Sequence, residues 1–176
     1  MGCRAIVGEC GWLAYFQQDV TEQVDVPVFM SALLQVPMVQ RTISADKVVG
    51  ILTSEARGLT EAMLRAVGID PDSNIVIAGA DEYGCKELDK LYHIDSEAGD
   101  QISEGCYETA RDELVRACTT FVEANPKMGA LLSTCTGHPP FARAIQSAID
   151  LPVLSWGTML DYAYSVTVHR DYYGHV

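Results

Sequence analysis

Six cysteines punctuate the chain, at positions 3, 10, 85, 106, 118 and 135, and two of them are spaced for chemistry. Cys10 closes the apolar run Ala5-Ile-Val-Gly-Glu, and Cys135 closes Ala130-Leu-Leu-Ser-Thr. A helical run follows each, and each stands 17 residues before a proline, Cys10 before Pro27 and Cys135 before Pro152. A thiol at the N-terminal end of a helix meets exposed N–H groups and the positive end of the helix dipole, which favour the thiolate. The same N–H groups form a ready carboxylate site. The other four cysteines read as small buried hydrophobes. No C-x-x-C pair and no zinc-like spacing occurs, and six cysteines are too sparse for a small disulfide scaffold. Reduced thiols in an intracellular, cytoplasmic protein are the simplest reading.

The two stretches read as copies of one unit. Sliding the first onto the second takes an offset of 125 residues and no gap. Ala5/Ala130, Cys10/Cys135, Phe16/Phe141, Asp25/Asp150, Pro27/Pro152 and Val28/Val153 then coincide, while Val24/Ile149 and Val26/Leu151 differ only in apolar shape. The shared order of strand, cysteine, helix and strand marks an internal duplication. The paired aspartates and prolines belong to turn and strand-start geometry. Two thiols related by a pseudo-twofold axis face each other across a cleft, which suits a two-base reaction. One thiolate removes a proton from a carbon acid, and the opposing thiol delivers one to the other face. Such chemistry needs no metal or organic cofactor, and the chain carries no motif for one.

The elements that must position these cysteines follow from apolar periodicity. Strands are expected at 4–9, 26–30, 48–53, 74–80, 128–134 and 153–155, and helices at 11–23, 33–43, 54–67, 101–124, 141–149 and 159–168. Leu13, Phe16 and Val20 face inward in the first helix, and Cys106, Ala110, Leu114, Ala117, Phe121 and Val122 in the long one. Ser31 reads as an N-cap, and Pro37 forces a kink or a later start. Thr60 and Glu61 offer a second cap, and Gly68 ends that helix. The polar stretch 81–100 is expected to be irregular and mobile. Strands alternating with helices imply an α/β fold of two pseudo-symmetric Rossmann-like halves, with parallel sheets flanked by helices. The first half, 1–46, has only two strands, is expected to be incomplete at its N-terminus, and is completed by 157–176. The second spans 47–156. Right-handed crossovers place every strand-to-helix loop at one sheet edge, where such sheets bind ligands.

A net charge of −12 excludes nucleic acid or an anionic membrane surface as the natural partner, since both demand a basic face. The apolar runs are far shorter than the ~20 residues that cross a bilayer. An acidic protein does not steer an acidic ligand by its overall field, so a substrate carboxylate needs local donors. The tail from His169 to Val176 fits no motif and reads as solvated or as a subunit contact.

Three stretches carry a family resemblance: Glu9-Cys-Gly-Trp-Leu-Ala-Tyr-Phe-Gln17, Val26-Pro-Val-Phe-Met-Ser-Ala-Leu-Leu-Gln-Val-Pro37 and Ser133-Thr-Cys-Thr-Gly-His-Pro-Pro-Phe141. Together they resemble the cofactor-independent aspartate/glutamate/hydantoin racemase superfamily over nearly the whole chain. The family's Cys-Gly-aromatic and Cys-Thr-x-x-Pro-Pro-aromatic loops hold its paired acid/base cysteines. The resemblance implies that Cys10 and Cys135 are catalytic, with His138 as a proton partner of Cys135. It places Gly11, Thr136 and Gly137 at the substrate, Gly11 and Thr136 as donors to its carboxylate, with Ser31 near it. It also implies a homodimer, a small-molecule substrate, no metal, and a family opening strand and helix ahead of the first residue here.

The expected function is a racemase or related isomerase acting next to a carboxylate or hydantoin carbonyl, on aspartate, glutamate or a 5-substituted hydantoin. The acidic charge and Glu9 beside Cys10 favour a neutral or mixed-charge substrate. The alternatives are an inactive family member serving as a small-molecule or protein binding module, and a redox-sensing thiol protein.

Overall fold

A computed structural model describes residues 2–92 and 105–171. The apolar runs condense into two parallel sheets. In the larger, β3 (Val48–Thr53) is central, with β4 (Ile75–Gly79) on one side and β5 (Met128–Ser133) on the other, and β6 (Val153–Leu154) lies beyond β5. The smaller sheet pairs β1 (Ile6–Val7) with β2 (Val28–Phe29). All these pairings are parallel, as right-handed strand–helix–strand units require.

The period of two along β3 and β5 sorts their side chains to opposite faces. Val49, Ile51, Ala130 and Leu132 join one core with Leu33, Val36, Val39, Leu64 and Ile69. Leu52 and Leu131 join the other with Ala110, Leu114, Ala117, Cys118, Phe121 and Ile145. Each fully buried Leu or Ile contributes about 1.5–3 kcal/mol relative to exposure. These two layers hold the C-terminal strand ends rigidly at one edge. Burial pushes the Cys118 thiol up to about 12, with Cys85 adding to the shift, so Cys118 is an inert core residue.

The helices are α1 (Gln17–Thr21), α2 (Val36–Thr42), α3 (Glu61–Ala66), α4 (Glu87–Tyr92), α5 (Tyr107–Ala124), α6 (Ala142–Ile149) and α7 (Trp156–Thr167). Several differ from the periodicity reading. The stretch after Cys10 is a 3-10 turn, Gly11–Phe16, and only then α1, and Phe16 is exposed. Pro37 sits in the first turn of α2 after a 3-10 turn, Ala32–Gln35, which is the later start that proline dictates. Thr60 caps α3 through the Met63 N–H, so the helix is much shorter than 54–67. Gly68 closes it at φ +78.

The polar stretch after Ala80 is not wholly irregular. It contains a 3-10 turn, Ala80–Tyr83, and α4. Cys106 caps α5 and is exposed, so it is not the inward residue expected. α7 begins at Trp156 because Ser155 and Thr158 form a capping box. The expected helix start at 101–104 and the tail residues 172–176 lie outside the described residues. Among the described residues no helix is long and apolar enough to cross a membrane.

The duplication is visible in the hydrogen bonding. β1 meets β2 as Ile6↔Val28 and Val7↔Phe29, and β5 meets β6 as Leu131↔Val153 and Leu132↔Leu154. Each pair maps onto the other by the same 125-residue shift read from the sequence. The bond from the Ile6 N–H to Pro27 O has its counterpart from Leu131 to Pro152, both 2.9 Å.

Candidate active site

The two cysteines come off the C-terminal ends of β1 and β5, and the loops carrying them are bonded to each other. The Gly11 N–H donates to Thr134 O at 3.1 Å, and the Thr136 hydroxyl donates to Glu9 O at 3.4 Å. Under the 125-residue shift Gly11 becomes Thr136 and Glu9 becomes Thr134. The two bonds are therefore pseudo-twofold mates, with a side-chain donor replacing a backbone one. Cys10 lies between Glu9 and Gly11, and Cys135 between Thr134 and Thr136, so both thiols flank the same local axis.

Both are half-buried and line one small cavity of about 60 Å³ together with Gly11, Trp12, Thr53, Ser54, Thr134 and Thr136. Close approach of the loops depends on Gly11, where a Cβ would meet Thr134 Cβ and Oγ1 at 2.8 Å. Trp12 packs its ring on Gly58, where a Cβ would meet Cζ2 at 2.8 Å, which joins this loop to the segment after β3.

The other expected residues fall into place around this cavity, with changed duties. Ser31 is fully buried behind the first loop. Its hydroxyl donates to Gly11 O at 3.2 Å and accepts from the Leu33 N–H at 3.3 Å, so it braces the loop. Gly11 has its N–H committed to Thr134 and so is not an open backbone donor for a carboxylate. The Trp156 indole N–H donates to Thr136 O at 3.1 Å and fixes the second loop from outside.

Gly137 and His138 line an adjoining cavity of about 240 Å³ with Ser54, Glu55, Ala80, Asp81, Cys85, Leu88, Cys135 and Thr136. His138 is fully buried, its Nδ1 hydrogen-bonded to Ser133 Oγ at 2.5 Å and its Nε2 without a partner among the described residues. Burial pushes its pKa down from 6.5 to about 4, so it is a neutral imidazole near neutral pH.

Helix-end activation of the thiols is not what the structure offers. Cys10 caps a six-residue 3-10 turn, and Cys135 precedes a loop whose His138 N–H returns to Cys135 O at 3.2 Å. What surrounds the thiols instead is a set of hydroxyls: Thr53, Ser54, Thr134 and Thr136. Thr134 Oγ1 is buried and has no hydrogen-bond partner among the described residues. Thr53, Ser54 and Thr134 were not singled out by the sequence. The signal for them was the ending of two buried strands, Val48–Thr53 and Met128–Ser133, in runs of Ser and Thr at the ligand-binding edge. Strand pairing then sets them side by side, with the Thr134 N–H donating to Leu52 O at 2.9 Å. Among the described residues no group of three His, Cys, Asp or Glu could hold a metal ion.

Comparisons with known proteins bear on fold and on chemistry separately. Allantoin racemase of Pseudomonas fluorescens superposes with a TM-score of 0.60 at 15% identity, over 94% of this chain and 63% of the other. Allantoin racemase of Klebsiella pneumoniae gives 0.53 at 18% identity, over 98% and 64%. Glutamate racemase of Aquifex pyrophilus gives 0.50 at 17% identity, over 95% and 60%. The chain thus has the fold of these racemases and spans slightly less than two thirds of their length.

The curated relatives carry another name. Dimethylsulfoniopropionate lyase 5 of Emiliania huxleyi is 28% identical over 98% of this chain, and lyase 3 of that organism is 30% identical over 86%. The dimethylsulfoniopropionate lyase of Durusdinium sp. clade D is 24% identical over 86%. The chain spans about a third to a half of the length of these relatives, 34%, 39% and 48% respectively. No family model matches the chain.

Proposed function

We propose that Cys10 and Cys135 form a carbon-acid site, and that its substrate is a propionate with a leaving group on the β-carbon, dimethylsulfoniopropionate. The observation that carries the reading is the convergence of both cysteine loops on one hydroxyl-lined cavity, in a chain similar in sequence to lyases of that substrate.

The chemistry follows from what racemisation and elimination share. Both begin with removal of a proton from the carbon next to a carboxylate. In the elimination one thiolate takes the α-proton, and the C–H electron pair becomes the Cα=Cβ double bond. The Cβ–S bond breaks with its pair going to sulfur, giving dimethyl sulfide and acrylate. The thiol then returns its proton to solvent. A positioned base of this kind contributes about 10²–10⁴-fold.

Each residue has a duty in this scheme. Thr53, Ser54 and Thr134 supply hydroxyls to the substrate carboxylate, the local donors that an acidic protein requires, while the Thr136 hydroxyl holds the two loops together. Ser31 and Trp156 are positioning residues, each bonded to the main chain of one cysteine loop. His138, neutral and buried, orients the second loop through Ser133 and lines the larger cavity together with Cys135. The substrate is a zwitterion, which agrees with a net charge of −12 and with Glu9 next to Cys10.

The second reading is racemisation at a carboxylate- or hydantoin-activated carbon, favoured by the pseudo-symmetric mounting of two thiols on a racemase fold. The two readings separate in one experiment. The purified chain is incubated in D₂O with dimethylsulfoniopropionate, aspartate, glutamate and a 5-substituted hydantoin. Headspace gas chromatography follows dimethyl sulfide, and proton NMR follows loss of the α-proton. Dimethyl sulfide from the first compound is the expected result. Exchange in an amino acid or hydantoin without elimination favours the racemase reading, and neither signal overturns the carbon-acid site.

A further inference from the structure

We propose that the cavity beyond Cys135 is the subsite for a cationic, methyl-bearing leaving group, with Asp81 its principal charged contact. The inference rests on the lyase reading and adds to it the recognition of the sulfonium itself.

The two cavities are continuous. The thiol cavity and the larger one share Ser54, Cys135 and Thr136 as walls, so a substrate whose α-carbon lies between the thiols reaches from one into the other. With the carboxylate on the hydroxyls of the small cavity, the β-substituent has the larger one to occupy. At about 240 Å³ against about 60 Å³, only the larger holds a branched group.

The walls of the larger cavity suit a cation. Ala80, Cys85 and Leu88 are buried and present small apolar surfaces. Glu55 and Asp81 line the same cavity, and among the described residues no Lys or Arg does. A dimethylsulfonium spreads its charge over weakly hydrated methyl groups. It suits a site with apolar walls and carboxylates at one side, much as quaternary ammonium ligands do. An anionic substituent finds no positive charge there among the described residues.

The two carboxylates are not equivalent. Glu55 shares an exposed ion pair with Arg57 at 3.3 Å, which partly neutralises it. Asp81 is in no ion pair among the described residues, and its N–H donates to Ser54 O at 3.1 Å, which ties it to the shared wall. Its Oδ1 rests directly against Gly79, so a side chain at position 79 would displace the carboxylate.

A third, independent observation is the fully buried His138, which lines this cavity and whose Nε2 has no hydrogen-bond partner among the described residues. A polar atom so buried is expected to meet a ligand or ordered water. Its depressed pKa keeps the ring uncharged near neutral pH, so it does not repel a cation.

The test uses binding, so that it does not depend on turnover. Calorimetry on the chain with both Cys10→Ala and Cys135→Ala compares dimethylsulfoniopropionate with 4-methylpentanoate, which has the same carboxylate and a neutral carbon in place of the sulfonium. The expected result is a preference of about tenfold or more for the sulfonium, the order of a desolvated cation contact. Asp81→Asn, added to the two cysteine changes, is expected to remove most of that preference while leaving 4-methylpentanoate binding unchanged. Glu55→Gln is expected to remove less, and Asp81→Glu to restore part. Equal binding of the two ligands, binding of neither, or a preference unaltered by Asp81→Asn overturns the subsite.

The same variants in the Cys10 background of the wild type, assayed for dimethyl sulfide, separate the two proposals. Selective, Asp81-dependent binding with no dimethyl sulfide from the wild type sinks the lyase reading and leaves the subsite standing. Normal release with an unchanged KM in Asp81→Asn sinks the subsite alone.

Discussion

The two cysteine loops are built on the same plan and covered in different ways. Their strands pair in the same register, the same prolines accept the same backbone bonds, and each loop donates one hydrogen bond to the other. Yet Phe16 and Phe141, which coincide under the 125-residue shift, have opposite fates. Phe16 is 47% exposed and Phe141 is 1% exposed. The second unit lies in a four-stranded sheet with α5 packed across α6, and Tyr107 stacks on Phe141 at 4.7 Å. The first unit has two strands, and Phe16 meets the edge of Tyr15. Local sequence decides how the loop turns and where its cysteine points along the chain. What lies across from the loop decides how firmly it is held. The site is therefore a graft of one deeply anchored thiol loop and one lightly covered one.

The comparison breaks most visibly at its aromatic pair. Phe141→Ala is expected to cost about 3–5 kcal/mol through lost burial and a cavity, while Phe16→Ala stays within about 0.5 kcal/mol. Urea denaturation of the two variants measures both, and equal losses would show that Phe16 is covered in solution.

The next effect concerns the buried imidazole that only the second loop possesses. The folded-state pKa of His138 is lowered from 6.5 to about 4, so the unfolded chain binds the extra proton first. Its contribution is fully present above pH 6.5 and is lost as pH falls from there through about 4. The loss amounts to about 3 kcal/mol at most. Thermal melts between these limits should show a slope that His138→Gln flattens, and an unchanged slope would place the imidazole in solvent.

The smallest effects sit where the loops touch. Gly11→Ala forces a Cβ against Thr134 at 2.8 Å, an overpacking worth about 1–3 kcal/mol. Its pseudo-mate Thr136 already carries a Cβ, and Thr136→Ala removes one long bond worth about 0.5–1.5 kcal/mol or less. Because a small misplacement of reacting groups can cost about 10²-fold in rate, Gly11→Ala should lower kcat more than Thr136→Ala does. Steady-state kinetics of both variants checks the order.

Much of this was legible in the sequence. The bounds of β3 match the apolar run 48–53, since an unbroken buried strand leaves little ambiguity. Pro37 announced the delayed start of α2, and Thr60 the cap of α3, because both act through local backbone chemistry. The 125-residue offset carried over to strand register without adjustment.

Other features were hidden for identifiable reasons. An apolar pattern every three or four residues does not separate a 3-10 turn from an α-helix, so the stretch after Cys10 read as one helix. α4 has few apolar residues in Glu-Leu-Asp-Lys-Leu-Tyr and was lost among its charges. Thr53, Ser54 and Thr134 become neighbours only through the pairing of β3 with β5, strands some eighty residues apart. Asp81 comes beside Ser54 through the pairing of β4 with β3, Thr53↔Gly79, and a backbone bond to Ser54 O, neither of which a local pattern signals.

The measurement that bears most directly on the paired-thiol site is dimethyl sulfide release by the wild-type chain, Cys10→Ala and Cys135→Ala at saturating dimethylsulfoniopropionate. An elimination needs one base, so the account predicts that the cysteine serving as base costs about 10²–10⁴-fold in kcat. The other, which shapes the cavity, should cost less. Release that continues undiminished in both variants would contradict it.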